Sequence, residues 1–235
     1  MKPLLREVAP KVGGDRSQFG EGSIISEILR RIGVGGGVCV EFGAGDGLHL
    51  SNTAHLWEHG GWYPYLIEAD INLYLKLFDN LGDAGTLARG QTDHHFVTPG
   101  NVNEYVPLEA NVVSIDVDGD DYAILDAMEA RPYVLCVEHH PMIPAHISMV
   151  GGPDIGCSAL ALKEWADHNG FMVVAMTHCN TIMVDRHDGY LFDDVDTDFL
   201  HMFDPSGITW VLSNVKTGDF DIHGPWPFGR PPALT

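Results

Sequence analysis

Two short segments hold the densest set of reactive side chains: Ser114-Ile115-Asp116-Val117-Asp118-Gly119-Asp120-Asp121-Tyr122 and Cys136-Val137-Glu138-His139-His140. Each follows an apolar run, so the acids stand where buried strands would end. Two chemistries fit. In the first, Asp116, Asp118 and Glu138 hold a hard divalent cation such as Mg²⁺, which would lower the pKa of a bound hydroxyl. His139 as a further ligand admits Mn²⁺ or Zn²⁺ as well. In the second no metal binds; Asp116 orients a ligand and His139 is the general base. His140, before Pro141, reads equally as functional or structural. Asp120 and Asp121 read as caps of a following helix. A calcium loop is excluded, because Asp121 stands where its glycine would be and Ala127 where its final glutamate would be.

A second constellation lies upstream. In Val38-Cys39-Val40-Glu41-Phe42-Gly43-Ala44-Gly45-Asp46-Gly47 an apolar run meets Glu41 and then glycines at alternate positions. A buried strand leading into a glycine-rich turn and a helix is the reading. The spacing G-x-G-x-G differs from the G-x-G-x-x-G of dinucleotide folds. Ser51, Asn52 and Thr53, at the start of the next helix, offer hydroxyl and amide groups to a carboxylate. Glu68, in Leu66-Ile67-Glu68-Ala69-Asp70, ends the second strand and can accept from two hydroxyls at once; Asp70 is the second candidate.

Alternating elements must position these groups. Helices are expected over residues 22–32, 51–59, 71–80, 122–128 and 158–169, the last stopped by Gly170. Strands are expected over 38–42, 63–68, 95–98, 112–117 and 133–138. Residues 171–177 and 181–185 lie too close together for a crossover helix, so they pair antiparallel. This is an α/β fold: a seven-stranded, mostly parallel sandwich with an antiparallel C-terminal strand pair. It is read as one domain over 1–235, with its core over 17–185 and an extension over 186–235 holding a late strand at 208–212 and a Pro-rich tail from Pro225. Open α/β sheets bind ligands beyond the carboxyl ends of their strands, where both constellations would meet.

Composition narrows the function. The chain has 235 residues, 45% hydrophobic, with 13 Lys plus Arg against 33 Asp plus Glu, a formal charge of −20. Such acidity repels phosphate backbones and anionic membranes, so neither is an expected partner. No apolar run is long enough to span a bilayer, and the first residues lack a signal peptide's apolar centre; a cytoplasmic location is the expectation. The four cysteines form no C-x-x-C pair, and Cys39 and Cys136 read as buried hydrophobes. His94, His95, His187, His201 and His223 read as surface residues. Met142, Ile143, Pro144 and Met149 suggest an apolar lid or a contact with a second copy, which would make a homo-oligomer.

The glycine spacing resembles the first motif of the S-adenosylmethionine-dependent methyltransferases, and the combined motifs resemble a group related to the FkbM-type methyltransferases. The matching segments are Ser17–Glu21, Val40–Gly47 with His49–Thr53, Leu66–Asp70, Ser114–Gly119 with Asp121-Tyr122, Val137–His139, Gly156–Leu160 and Cys179-Asn180. The resemblance implies O-methylation of a small hydroxylated molecule with S-adenosylmethionine as cofactor. It implies a Rossmann-like sandwich in which Glu41, Gly43, Gly45, Gly47, Ser51, Asn52, Glu68 and Asp116 serve the cofactor, Glu68 through its ribose hydroxyls. Adenine contacts would come from Asn101 or Asn103. Gln18 and Glu21 would fold over the cofactor or cap a helix. His178 and Asn180 would line the substrate pocket, although a turn-forming Asn is the simpler reading. One departure stands out: Asp118 occupies the Glu position of the usual Ile-Asp-Val-Glu-Gly. Two other functions remain open, a non-catalytic protein that binds S-adenosylmethionine or its product, and a metal-dependent hydrolase built on Asp116, Asp118, Glu138 and His139.

Overall fold

The structure is a computed structural model that describes residues 2–59, 61–83, 85, 90–152, 155–213 and 216–224. The tail from Pro225 and the side chain of His223 lie outside the described residues. Helices are α1 (Leu5–Val8), α2 (Glu21–Ile32), α3 (Ala54–His59), α4 (Ile71–Asp83), α5 (Val102–Tyr105), α6 (Asp121–Ala127), α7 (Ala159–Asn169) and α8 (Phe199–Met202). Strands are β1 (Val38–Phe42), β2 (Tyr63–Glu68), β3 (Gln91–His94), β4 (Val112–Ile115), β5 (Val134–Glu138), β6 (Phe171–Met176), β7 (Asn180–Asp185), β8 (Trp210–Ser213) and β9 (Phe220–His223).

Seven strands form one sheet in the order β3-β2-β1-β4-β5-β7-β6. β1 pairs in parallel with β2 and β4, and β7 runs antiparallel to β5 and β6. The Rossmann-like, methyltransferase-type sandwich expected from the sequence is therefore the fold, with its antiparallel C-terminal pair. The chain direction across the sheet reverses between β1 and β4, which opens the crevice where such sheets bind ligands.

Alternation sorts each strand onto two faces. Val40, Phe42, Val113, Ile115, Leu135 and Val137 pack on one side against residues of α6 and α7, including Leu125 and Leu162. Cys39, Val112, Val134, Cys136 and Ile182 pack on the other against Ile25 and Ile28 of α2, Trp57 of α3 and Leu77 of α4. The same parity puts Glu41, Ser114, Asp116, Glu138 and Asn180 on the α2 and α3 side. α2 follows its apolar stripe and stops at Gly33, whose positive φ of 84° turns its N–H back to the Leu29 carbonyl. α7 starts at Ser158, whose hydroxyl accepts from Ala161 N, and ends at Gly170 as expected.

One expectation changes and two features are added. The third strand is Gln91–His94, not 95–98; it is an edge strand of polar residues and carries no apolar signal, whereas buried Val97 belongs to the loop after it. The extension beyond 185 packs into the body: Phe192, Val195, Met202 and Phe203 are buried, and Arg31 holds Asp194. The late strand β8 has an unforeseen antiparallel partner, β9. Among the described residues no helix is long and apolar enough to cross a membrane.

Candidate active site

A cavity of about 570 Å³ opens at the carboxyl ends of β1, β2 and β4. Gly43, Gly45, Ser51, Glu68, Asp116 and Asp118 line it on the polar side, and Ile67, Leu73, Phe96 and Val97 on the apolar side. Volume and mixed lining are those of a small-molecule site.

The glycines serve different ends. A side chain at Gly43 (φ 71°) would overlap the Asp116 carbonyl oxygen, so this glycine lets β1 and β4 turn away from each other at the switch point. Gly45 (φ 57°) faces open space, and its N–H donates to Glu68 Oε2 at 2.7 Å. Gly47 departs from the expected cofactor role: it does not line the cavity, and a Cβ there would strike Leu77 of α4.

Glu41 and Glu68 divide the work. Glu68, 7% exposed, accepts from Gly45 N and Asp70 N and lines the cavity with its carboxylate. Two N–H donors thus hold it at the β2 end, with lone pairs left for other donors. Glu41 turns inward. Its carboxylate accepts from Ser51 Oγ (2.6 Å), Asn52 N (2.8 Å) and Thr53 Oγ1 (2.6 Å). The Asn52 side chain donates to Ser114 Oγ. Glu41, Asn52 and Thr53 therefore shape the loop before α3 instead of presenting free groups to a ligand; Glu41 and Ser51 still border the cavity.

Adenine contacts assigned to Asn101 and Asn103 are overturned. Asn101 accepts from Thr98 N and donates to the Phe96 carbonyl, and Asn103 bridges Ala127 O and Glu129 N. Both are consumed by loop structure. Phe96, Val97 and Leu73 were missed, and Phe96 is 65% exposed at the rim. Residues 95–98 read as a strand, which hid Phe96 and Val97 as side chains of a loop beyond the sheet edge. His95, read as a surface residue, also lines the cavity.

The acidic centre adjoins the cavity's far end. Ligand atoms of Asp116, Asp118 and Glu138 all lie within 4.8 Å of one another. Burial and the neighbouring carboxylates push both Asp116 and Glu138 well above the usual carboxylate range. Asp118 has φ 59°, a backbone state a non-glycine residue rarely adopts. Asp120 is the N-cap residue of α6 but makes no side-chain cap, and Asp121, an acid in the first turn as expected, holds the preceding loop by accepting from Val117 N and Gly119 N.

His139 does not join this centre. Adjacent strand residues point to opposite faces, so its ring lies away from Glu138. There its Nδ1 pairs with Thr181 Oγ1 at 3.1 Å and Phe203 stands 6.5 Å off. It is 2% exposed, and burial pulls its pKa down to about 3. Both expected roles, metal ligand and general base, are overturned by that parity. His140 is structural: its Nδ1 accepts from Met142 N.

Glu21 and Asn180 belong to a further buried network. Glu21, at the start of α2, accepts from Thr177 Oγ1 (2.5 Å) and Asn180 Nδ2 (3.2 Å) through Oε1, and from Phe19 N through Oε2. It neither covers the cavity nor caps α2 through a helical N–H. Asn180, the first residue of β7, closes the β6–β7 turn by accepting from Thr177 N through its carbonyl and donating its N–H to Thr177 Oγ1, so the turn-forming reading stands beside its side-chain contact with Glu21. His178 pairs with Asp204 Oδ2 and packs on Phe19, outside the cavity.

No protein-family model matches the chain, and no curated protein is detectably similar to it in sequence. Solved structures resemble it in fold. A SAM-dependent methyltransferase from Geobacter sulfurreducens in complex with S-adenosyl-L-homocysteine is 14% identical, covers 75% of each chain and superposes with a TM-score of 0.45. TrmK from M. capricolum, also with S-adenosyl-homocysteine, is 11% identical over 67% of this chain and 66% of its own, with a TM-score of 0.43. The mitomycin 7-O-methyltransferase MmcR is 20% identical over 70% of this chain and 56% of its own, with a TM-score of 0.41. These are likenesses between distant chains, so the functional reading rests on the site itself.

Proposed function

We propose that the protein is an S-adenosylmethionine-dependent methyltransferase that methylates a hydroxyl of a small molecule, in the manner of the FkbM-type enzymes its motifs resemble. The observation that carries this reading is the continuity of one cavity. It runs from the Glu68 carboxylate, past the open backbone at Gly45, to Asp116 and Asp118.

The residues present fit that cofactor. Glu68 would accept from the two ribose hydroxyls, held for this by Gly45 N and Asp70 N. Leu73, Phe96 and Val97 offer an apolar slot for the base. Gly45 lets backbone approach the amino-acid moiety. When bound, the cofactor supplies an electrophilic sulfonium methyl group.

The chain's own contribution is positional and electrostatic. Asp116 borders both the cavity and the acidic centre, which supports a role for it beside the acceptor hydroxyl. Asp116, pushed up to about 7 by burial and the neighbouring carboxylates, can take the hydroxyl proton near neutral pH, whereas Glu138, pushed up to about 9, still holds its own proton there unless a cation displaces it. A divalent cation held by Asp116, Asp118 and Glu138 would supply charge that lowers the hydroxyl's pKa. Orienting the two reactants in one cavity contributes much of the rate. A net charge of −20 favours a small neutral or metal-chelated acceptor over nucleic acid.

Calorimetry with S-adenosylhomocysteine, on chelator-treated protein with and without Mg²⁺, tests the reading. Micromolar binding that weakens about 10- to 100-fold in Glu68→Ala is the expected result, the loss of charge-assisted hydrogen bonds. Absence of binding under both conditions would remove the methyltransferase function and leave a metal-dependent hydrolase.

A further inference from the structure

One buried polar atom beside the acidic centre has no partner. Asn180 is 2% exposed, yet its Oδ1 accepts no hydrogen bond. Leaving an amide oxygen so buried and unpaired costs on the order of 1–3 kcal/mol. The amide orientation follows from its neighbours. Nδ2 faces Glu21 Oε1 at 3.2 Å, and that carboxylate oxygen already accepts from the Thr177 hydroxyl. Turning the amide over would set oxygen against oxygen, so Oδ1 occupies the lobe away from Glu21.

The sheet register says what lies there. Asn180 of β7 is the direct antiparallel partner of Glu138 of β5. Directly opposed residues project from the same face with their Cβ atoms about 5 Å apart. Asn180 therefore extends the row that Asp116, Asp118 and Glu138 begin. Every group in that row is an oxygen acceptor when ionised, and among the described residues no lysine or arginine pairs with these three acids. The group that would satisfy them together is a cation.

We propose that Asn180 Oδ1 completes a site for a hard divalent cation with Asp116, Asp118 and Glu138. The inference rests on the cation reading of the acidic centre and deepens it. Four oxygen donors and no nitrogen or sulfur form the ligand chemistry of Mg²⁺, Mn²⁺ or Ca²⁺, not of Zn²⁺. Glu21 is the positioning residue here: it holds the amide by its nitrogen and leaves its oxygen to the metal. The N-terminal segment that carries Glu21 is thereby tied to the site.

The test uses the full chain, stripped with a chelator and titrated with Mn²⁺, bound and free ion being separated by electron paramagnetic resonance. One site is expected in the wild type, weakened about tenfold in Asn180→Ala and abolished in Glu138→Gln. Thr177→Val, which disturbs the same Glu21 contact but keeps the amide oxygen, should shift affinity no more than about twofold. Should Asn180→Ala fail to fold, Asn180→Ser decides: it removes the amide oxygen but keeps a donor for Glu21, and wild-type affinity overturns the proposal. Wild-type affinity in Asn180→Ala, with loss in Glu138→Gln, overturns the role of Asn180 alone. No Mn²⁺ bound by wild type that still binds S-adenosylhomocysteine overturns the cation site and leaves the cofactor reading standing.

Discussion

The two halves of the crevice treat negative charge in opposite ways. On the β1–β2 side each acid is met by donors: Glu68 by two backbone N–H groups, Glu41 by two hydroxyls and an N–H, Asp46 by Leu48 N and His49 N. Those acids act as scaffold, folding the loops into a cradle before any ligand arrives. On the β4–β5–β7 side the acids face each other, and Asn180 Oδ1 faces no donor. A carboxylate crowded by carboxylates binds protons more tightly and attracts cations. The first half is built to position; the second stores charge that a proton or metal must balance.

Breaking the second half should have the largest effect. Asp116→Asn and Glu138→Gln are each expected to lower turnover on the order of 10³-fold, while calorimetric affinity for S-adenosylhomocysteine stays within a few-fold. Full activity in either variant would end the distinction drawn between the two halves.

Breaking the joint between them comes next. Gly43→Ala pushes a Cβ into the Asp116 carbonyl at a positive φ. Neither backbone can yield, so a loss of roughly 3 kcal/mol or more is expected in urea unfolding. A stable Gly43→Ala protein would show that the two halves are not braced at this point.

Behind the cradle lies His55, 7% exposed with neither ring nitrogen paired. Burial pulls its pKa from 6.5 to about 4, opposed in part by Asp15. The folded state thus resists a proton that the unfolded chain accepts. Stability is full above about pH 6.5 and falls as pH drops toward 4, by up to about 3 kcal/mol. Denaturation midpoints measured across that window should flatten in His55→Leu; an unchanged slope would assign the acid sensitivity elsewhere.

The smallest effect sharpens the contrast from outside. Arg16 pairs with Glu58 at the surface, its side chain 44% exposed. Arg16→Ala should cost about 0.2–1 kcal/mol and shrink further in salt. A loss of several kcal/mol would mean that the N-terminal segment is held mainly at this pair instead of through Glu21.

Legibility in the sequence followed hydrophobic pattern. β1, β2, β4, β5 and the β6–β7 pair were readable because buried strands are continuous apolar runs, and Gly33 and Gly170 marked helix ends. β3 was not, since an edge strand of Gln91-Thr92-Asp93-His94 buries too little to show a pattern. Asp116, Glu138 and Glu68 were legible as acids at strand ends. His139 reads as a partner of Glu138 because the two adjoin in sequence, whereas strand parity sends such neighbours to opposite faces.

What this sequence determined by itself is the order of strands and helices and the chemistry available at their ends, since local propensity and apolar period act over a few residues. Which acids are spent as scaffold and which are left uncompensated was decided only by tertiary structure. Glu41 and Glu138 look alike in sequence, each following an apolar run at or next to the end of a strand. One meets Ser51 and Thr53 across a tight loop; the other meets Asp116 and stands opposite Asn180, 42 residues further along the chain. Burial turns such meetings into proton affinity and ligand demand, and burial exists only once distant segments have packed.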